Sequence, residues 1–301
     1  MKRSAAISVL LILVSWFVLA QNGHDKPAPK TAPAPPQLSQ DQIRAIIRQA
    51  ADKDAENDKK QRQYTYIERE EEHKLDGKGQ VKSSESKTHE IMVLYGEQVE
   101  RLIAKDDKPL SEKDAAKEEE RIQKLTDKRK NESDEQRKKR QEEEEKDRED
   151  GRKFVGEVAD AYNFRFIGME KIDGRATYVI DAEPRPDFQP HLKQAKILPK
   201  FRFRAWIDQA DSQWVKLDAE CIDTVSLGWF LARIHKGSRL LLDQTRVNDE
   251  VWLPRHVAVK IDVRLALLKN FNVEADMTYR DYKKFRTDTR IVPVGELQQQ
   301  H

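Results

Sequence analysis

The stretch FRFRAWIDQADSQWVKLDAEC, residues 201–221, decides the fold, because apolar and polar side chains alternate along it on both sides of a turn. The same alternation returns in VAVKIDVRL, residues 257–265, and in FNVEADMTY, residues 271–279. A period of two predicts β-strands with one dry face and one wet face. A large antiparallel sheet has to cover its dry face with a second layer, with its own curvature or with a ligand.

Further alternating segments lie on the N-terminal side of this stretch, and turn signals such as Asp76-Gly77 and Asp173-Gly174 separate them. Pro184, Pro186 and Pro190 predict a surface loop between two of the strands, because proline cannot donate to a sheet. We predict about ten to eleven strands in all. The fold class is therefore mainly β with helices, an α+β protein with one domain over residues 39–286.

The first forty residues resemble an export signal followed by a tether. Lys2 and Arg3 precede an apolar run over residues 5–18, and small residues end it at Ala20. This pattern predicts a signal peptide, residues 1–20, cleaved after Ala20, and hence an exported, periplasmic protein. The alternative is a segment that stays as an anchor. Residues 21–38 are rich in Pro and Ala and predict an extended linker, and residues 287–301 predict a polar tail.

A short amphipathic helix is predicted after the linker. Ser39 and Gln42 form a capping box, and an apolar stripe follows at helical spacing. The stripe fades after Ala51, so only the first turns are expected to pack on the sheet. The stripe consists of Ile43, Ile46 and Ile47, which we expect to form a lid over the dry face.

Residues 111–150 differ from the rest of the chain, because almost none of them is apolar and most are charged. Acid-before-base pairs four residues apart, such as Glu120 and Lys124, support helices, and Ser111 and Ser133 are predicted helix caps. We predict a solvated helical arm inserted between strands, with the globular pattern resuming after Gly151 in a short helix or turn. The alternatives are an arm that binds an envelope protein partner and a disordered segment.

No combination of residues predicts catalysis. Cys221 is the only cysteine and lies on the apolar side of its strand, as a small buried hydrophobe would. The histidines show no metal-ligand spacing, and the formal net charge of +2 does not indicate a nucleic-acid-binding protein. Asp208 and Asp211 lie on either side of a turn. We expect their carboxylates to accept hydrogen bonds from the turn backbone, in preference to a catalytic or metal-binding role. We expect no cofactor, no metal and no enzymatic activity; an exported hydrolase is the competing hypothesis.

The alternation breaks at three places, where consecutive residues are apolar and both faces of the strand would be apolar. These places lie near residues 227–231, 240–242 and 265–268. Such strands are either covered on both sides or line a cavity, and the sequence leaves both interpretations open. If they line a groove, the expected lining residues are Trp206, Trp229, Phe230, Leu240, Leu242 and Phe271.

Several motifs together resemble the LolA-like outer-membrane lipoprotein-sorting superfamily. The resemblance spans about Arg44 to Arg286, without the charged arm. It is carried by the order and spacing of Asp173-Gly174-Arg175 with Tyr178-Val179-Ile180, Trp206-Ile207-Asp208, Trp214-Val215-Lys216, the segment 248–254 and the segment 279–285.

The resemblance implies a curled, incompletely closed antiparallel half-barrel with helices on its concave side. It also implies a non-enzymatic periplasmic carrier or sensor that binds lipid or lipoprotein acyl chains and can contact a membrane peripherally. The rival hypothesis is an envelope adaptor or structural protein, whose half-barrel is a filled core and whose arm, residues 111–150, binds a protein partner.

Overall fold

The computed structural model describes residues 38–227, 232–265 and 269–285. Within these ranges thirteen strands form one antiparallel sheet, accompanied by three α-helices and one 3-10 helix. The helices are α1 (Gln40–Gln61), α2 (Glu112–Lys130), α3 (Asp134–Ala161) and the 3-10 helix Gln194–Lys200. The strands are β1 (Tyr64–Leu75), β2 (Val81–Leu94), β3 (Glu97–Lys105), β4 (Lys108–Pro109), β5 (Tyr162–Ile172), β6 (Arg175–Pro184), β7 (Phe201–Asp208), β8 (Trp214–Cys221), β9 (Val225–Leu227), β10 (Ala232–Ile234), β11 (Arg239–Val247), β12 (Val251–Leu265) and β13 (Lys269–Lys284).

The sheet is open. Its strand order is β4-β3-β2-β1-β13-β12-β11-β8-β7-β6-β5, and the short pair β9 and β10 joins it through β12. The predicted α+β fold with an open antiparallel sheet is confirmed. The strand count exceeds the prediction because β4, β9 and β10 have only two or three residues each, too few to show an alternation.

Helix α1 packs on one face of the sheet, which we call the inner face. Its Ile43 and Ile47 are fully buried against β5, β6, β7 and β8 in a first apolar cluster, and Ile46 packs at the margin of that cluster. Burial of each isoleucine stabilises the fold by about 1.5–3 kcal/mol. The predicted capping box is present, with reciprocal hydrogen bonds between Ser39 and Gln42.

Both ends of α1 are bound to strands by side-chain amides. The Gln40 amide pairs with the backbone N–H and C=O of Phe164 on β5. At the other end, Asn57 Nδ2 donates to Trp252 O over 2.7 Å, and Trp252 N donates to Asn57 Oδ1 over 2.8 Å. The expectation that the helix docks only through its first turns is therefore wrong. Past Ala51 the helix continues to Gln61 and docks through side-chain hydrogen bonds. A pattern of apolar residues in the sequence does not reveal contacts of this kind.

The charged arm consists of two consecutive helices, α2 and α3, which connect the two edge strands, β4 and β5. The predicted caps Ser111 and Ser133 begin its helices. The arm is less solvated than predicted, because Ile122 of α2 is buried against Leu94 and Val99. Helix α3 also runs straight through Gly151 to Ala161, so the short separate helix predicted after Gly151 is wrong.

The last turns of α3 belong to the core. Phe154 is buried in the first apolar cluster. The Glu157 carboxylate accepts from the backbone N–H groups of His191 and Leu192 at 3.0 and 2.7 Å, which fixes the loop before the 3-10 helix. The sheet and this helix therefore share one hydrophobic core. Among the helices described, none has an apolar stretch of the length a bilayer crossing requires.

Helix α2 also covers the edge of β3. The Glu118 carboxylate accepts from the backbone N–H of Leu102 over 2.9 Å, and Arg121 donates to the backbone C=O of Glu100. Gln40 does the same for β5 on the opposite edge. Helix side chains thus satisfy backbone groups that an edge strand would otherwise expose.

Candidate functional site

A second apolar cluster covers the inner face of the neighbouring strands β11, β12 and β13. Residues that lie directly opposite one another in an antiparallel pair point to the same face. The inner-face residue Leu217 on β8 pairs with Leu242, and the row continues through Val257 to Met277. The buried members of the cluster are Cys221, Val225, Ile234, Leu242, Val257, Val259, Ile261, Val263, Val273, Ala275 and Met277.

Helices contribute little to this second cluster. None of its described members comes from α1, α2 or α3, and the 3-10 helix contributes only Ile197 at its margin. Leu240 and Ile197 touch both clusters, so the two are continuous. The inner face is therefore divided: α1 packs on one half of it, and the other half is an apolar surface of strands.

Three of the expected lining residues lie on this apolar surface. Leu242 is a buried member, and Leu240 and Phe271 are partly buried at its margin. The lid residues Ile43, Ile46 and Ile47 belong to the first cluster and not to this one. Trp229 and Phe230 lie outside the described residues.

Trp206 lies on the opposite, outer face, so its assignment to the groove lining is wrong. Its cross-strand partner is Lys216, whose ammonium nitrogen lies 5.4 Å from the centre of the indole ring. Its Nε1 donates to Glu170 Oε2 over 2.8 Å. The alternation of side chains already places Trp206 on the same face as Arg202 and Arg204. The prediction followed the aromatic character of Trp206, whereas the period of two gave its face correctly.

The apolar segments around Leu227 and Leu240 do not pair with each other among the described strands. Strand β11, with Leu240 and Leu242, pairs with β8 and β12. Strand β9 pairs with β10. Leu241 lies on the outer face, in a shallow depression that includes Ala258, Lys260 and Glu274.

The apolar surface ends at β1, where inner-face positions become charged; Lys74 is basic, and the three positions before it on this face are acidic. Glu68, Glu70 and Glu72 are the cross-strand partners of Tyr279, Met277 and Ala275. The side chain of Glu72 is only 4% exposed. Sequence reasoning missed this border, although the spacing of two between the three glutamates would have placed them on one face.

Tyrosines line the inner face beside these glutamates. The ring centroids of Tyr66 and Tyr279 are 5.9 Å apart, and those of Tyr66 and Tyr282 are 5.2 Å apart. Burial, together with the charge of Glu68, raises the pKa of all three phenols above its ordinary value. They are neutral at physiological pH and extend the apolar surface with aromatic rings.

Cys221 and Asp208 have structural roles. Cys221 is fully buried, and burial raises the pKa of its thiol to about 11, which confirms the expected small buried hydrophobe. Asp208 accepts from both Arg175 nitrogens at 2.7 Å and from the backbone N–H groups of residues 210 and 211, so it serves its turn. Within the described ranges, no group of three or more His, Cys, Asp or Glu side chains could hold a metal ion.

Comparison with known proteins finds similarity at the level of solved structures. No family model and no curated protein matches the chain. A DUF1329 family protein from Desulfovibrio piger matches with 12% identity, a TM-score of 0.31 and coverage of 82% of this chain and 95% of that one. An outer membrane lipoprotein-sorting protein domain from Vibrio parahaemolyticus matches with 11% identity, a TM-score of 0.31 and coverage of 81% and 95%.

A LolA superfamily protein from Nitrosomonas europaea also matches, with 12% identity, a TM-score of 0.24 and coverage of 83% and 94%. Lipoprotein-sorting and LolA-superfamily proteins are thus among the solved structures to which this chain is similar. The similarity concerns architecture and does not extend to activity.

Proposed function

We propose that this protein is an exported, non-enzymatic carrier or sensor that holds lipid or lipoprotein acyl chains against the inner face of β11, β12 and β13. The observation that carries the proposal is the division of the inner face. Helix α1 belongs to the first apolar cluster, whereas the second consists almost entirely of strand residues.

The free energy that an acyl chain would gain on this face depends on the number of methylenes that it buries. Transfer of each methylene from water to an apolar surface contributes about 0.8 kcal/mol. About ten buried methylenes would therefore contribute about 8 kcal/mol, which corresponds to a dissociation constant near micromolar before the cost of association. In the proposed complex the chain contacts Leu242, Val259 and Val273, which lie on three adjacent strands.

A specific observation favours a second candidate, the envelope adaptor with a filled core. Val263 is 1% exposed and Val273 is 3% exposed, as in an ordinary protein interior. In that case the function belongs to the arm, whose described side chains around Glu142, Glu143 and Lys146 are exposed to solvent.

Ala275→Trp distinguishes the two candidates, because a groove and a filled core respond differently to added volume. In a carrier the indole occupies ligand space, so the variant folds and its affinity for a dansyl-labelled fatty acid falls at least tenfold. In a filled core the indole overpacks the interior and costs about 1–3 kcal/mol of stability, and the wild-type protein binds no probe. Ala258→Trp, on the outer face of the adjacent strand, is the matched control.

Two further measurements complete the test. Native mass spectrometry of as-purified and delipidated protein is expected to show a lipid adduct in the first sample only. If neither sample carries lipid and the probe does not bind, the carrier proposal is wrong. For the adaptor, charge reversals at Glu142 and Glu143 suit a pull-down better than deletion of residues 113–148, since deletion would also uncover Leu94 and Val99.

A further inference from the structure

We propose that the ligand on this inner face carries a positive charge beside its acyl chain, and that Glu72 recognises it. The inference rests on the proposed function and adds the chemistry of the head group. It starts from the place where the sheet changes from apolar to acidic, between β13 and β1.

Glu72 is placed at the end of the apolar surface. Its cross-strand neighbour on β13 is Ala275, a buried member of the second cluster. Its neighbour on the other side is Glu85 of β2, which is exposed and forms an ion pair with Lys87. Glu72 thus lies at the border between the dry part of the inner face and the part that reaches solvent.

The carboxylate of Glu72 is buried without the hydrogen bonds that such a group needs. Its side chain is 4% exposed, and neither oxygen has a hydrogen-bond partner among the described residues. The Lys74 ammonium nitrogen lies 3.1 Å from Oε1 and is itself 44% exposed, so it offers charge to one side of the carboxylate only. Buried carboxylates are normally well paired, because an uncompensated buried charge is costly.

The same face of β1 is acidic at two further positions. Glu68 and Glu70 alternate with Glu72 and face Tyr279 and Met277 of β13, and both have interactions of their own. A cation held here would be attracted by the negative charge of the carboxylates. It would also be attracted by the faces of the tyrosine rings, which bind quaternary ammonium ions. An amphiphile with its alkyl chain on β11 to β13 would place its head group at this border.

The experiment compares three amphiphiles with the same twelve-carbon chain: dodecyltrimethylammonium, dodecyl maltoside and dodecyl sulfate. Each displaces the uncharged apolar probe N-phenyl-1-naphthylamine from the full-length protein below its own micelle concentration. We expect the cationic amphiphile to bind at least tenfold more tightly than the neutral one, and the anionic amphiphile to bind most weakly. Glu72→Gln is expected to reduce the cationic preference to within twofold.

Two further variants show whether a change in preference comes from the loss of the Glu72 charge or from impaired folding. Glu71→Gln alters the next carboxylate on the strand, which faces outward and pairs with Arg69, and it should keep the preference. Lys74→Met removes the ammonium group beside Glu72 and should increase the preference. A preference that is absent, or that survives in Glu72→Gln, overturns the head-group inference and leaves the acyl carrier intact. If none of the three amphiphiles binds, the proposed function itself is wrong.

Discussion

Asn57 pairs with Trp252 as one peptide group pairs with another, donating to its carbonyl and accepting from its N–H. Asn57 is on a helix and Trp252 is at the start of β12, upstream of the residues that pair with β13. The side-chain amide of Asn57 therefore takes the place that a β13 residue would occupy beside Trp252. This pairing fixes the C-terminal half of α1 over the end of the sheet.

Asn57→Ala is expected to lower the free energy of unfolding by about 1–3 kcal/mol, because it leaves the buried Trp252 N–H without a partner. Gln61 donates to the same carbonyl over 2.8 Å, so that oxygen keeps one bond in the single variant. Urea unfolding of both single variants and of Asn57→Ala/Gln61→Ala measures the coupling. The double variant should lose more than the sum of the two, and strict additivity would contradict the shared acceptor.

Asp54 lies one turn before Asn57 on α1, and burial, followed by the charge of Asp58, raises the pKa of its carboxyl to about 6. A carboxyl whose pKa is raised by folding destabilises the fold as pH rises from about 4 through about 6. Asp54→Asn should therefore stabilise the protein by about 1–2 kcal/mol at pH 7.5 and by little at pH 4. Thermal melts at both pH values measure this.

The exposed Asp52 on the same helix provides the control for Asp54. Asp52→Asn removes the same charge without removing a desolvated group, so its effect should stay within about 0.5 kcal/mol. An equal gain from Asp54→Asn at both pH values would show that its carboxyl does not titrate in this range.

His256 on the outer face lies between two carboxylates. Hydrogen bonding to Asp243 and to Asp276, whose Oδ2 is 2.7 Å from Nε2, raises the pKa of the imidazole to about 9. A histidine pKa raised by folding stabilises the fold fully below about 6.5, and the contribution is lost as pH rises through about 9. The difference in melting temperature between the wild type and His256→Gln should therefore be large at pH 6 and small at pH 10. A constant difference would contradict the charged imidazole.

Four charged side chains join the arm to β3. Arg129 and Arg140 contact both Glu97 and Glu132, and all four side chains are at most 17% exposed. Removing one partner of such a network leaves an unpaired buried charge, which commonly costs about 3–5 kcal/mol. Arg140→Met should therefore accelerate amide exchange across α2 and the first turns of α3. The core strands β7 and β12 should exchange as before.

The neighbouring Arg137 serves as the control for Arg140. It pairs only with Asp134 among the described contacts, and that carboxylate is 99% exposed. Arg137→Met should leave the exchange of α2 unchanged. Equal acceleration in both variants would show that helix propensity, and not the buried network, fixes the arm.

The sequence supports the fold more strongly than the site. Alternation along residues 201–208, 257–264 and 271–279 places the inner and outer faces correctly, and Ser39, Ser111 and Ser133 begin helices as predicted. Asn57 and Glu72 could not be found in this way. A polar side chain whose partner is a distant backbone group, or which lies at the border of a buried surface, has the same local pattern as a solvated one.

The assignment of Trp206 was wrong for a different reason. Its aromatic character suggested a lining residue, whereas its position between Ala205 and Ile207 already placed it on the other face. Leu240, Leu242 and Phe271 lie on the expected face, and their role in binding stays a prediction. The lesson is that phase along a strand outweighs residue type when the two disagree.

The side chains that cover β3 and β5 have a consequence for the behaviour of the protein at high concentration. An open sheet normally offers two templates for edge-to-edge association with other molecules. Here Glu118 and Arg121 occupy backbone groups of β3, Gln40 occupies those of Phe164, and Pro109 in β4 has no N–H to donate. Side chains of α1 and α2, together with Pro109, thus help to keep this open sheet from polymerising strand by strand.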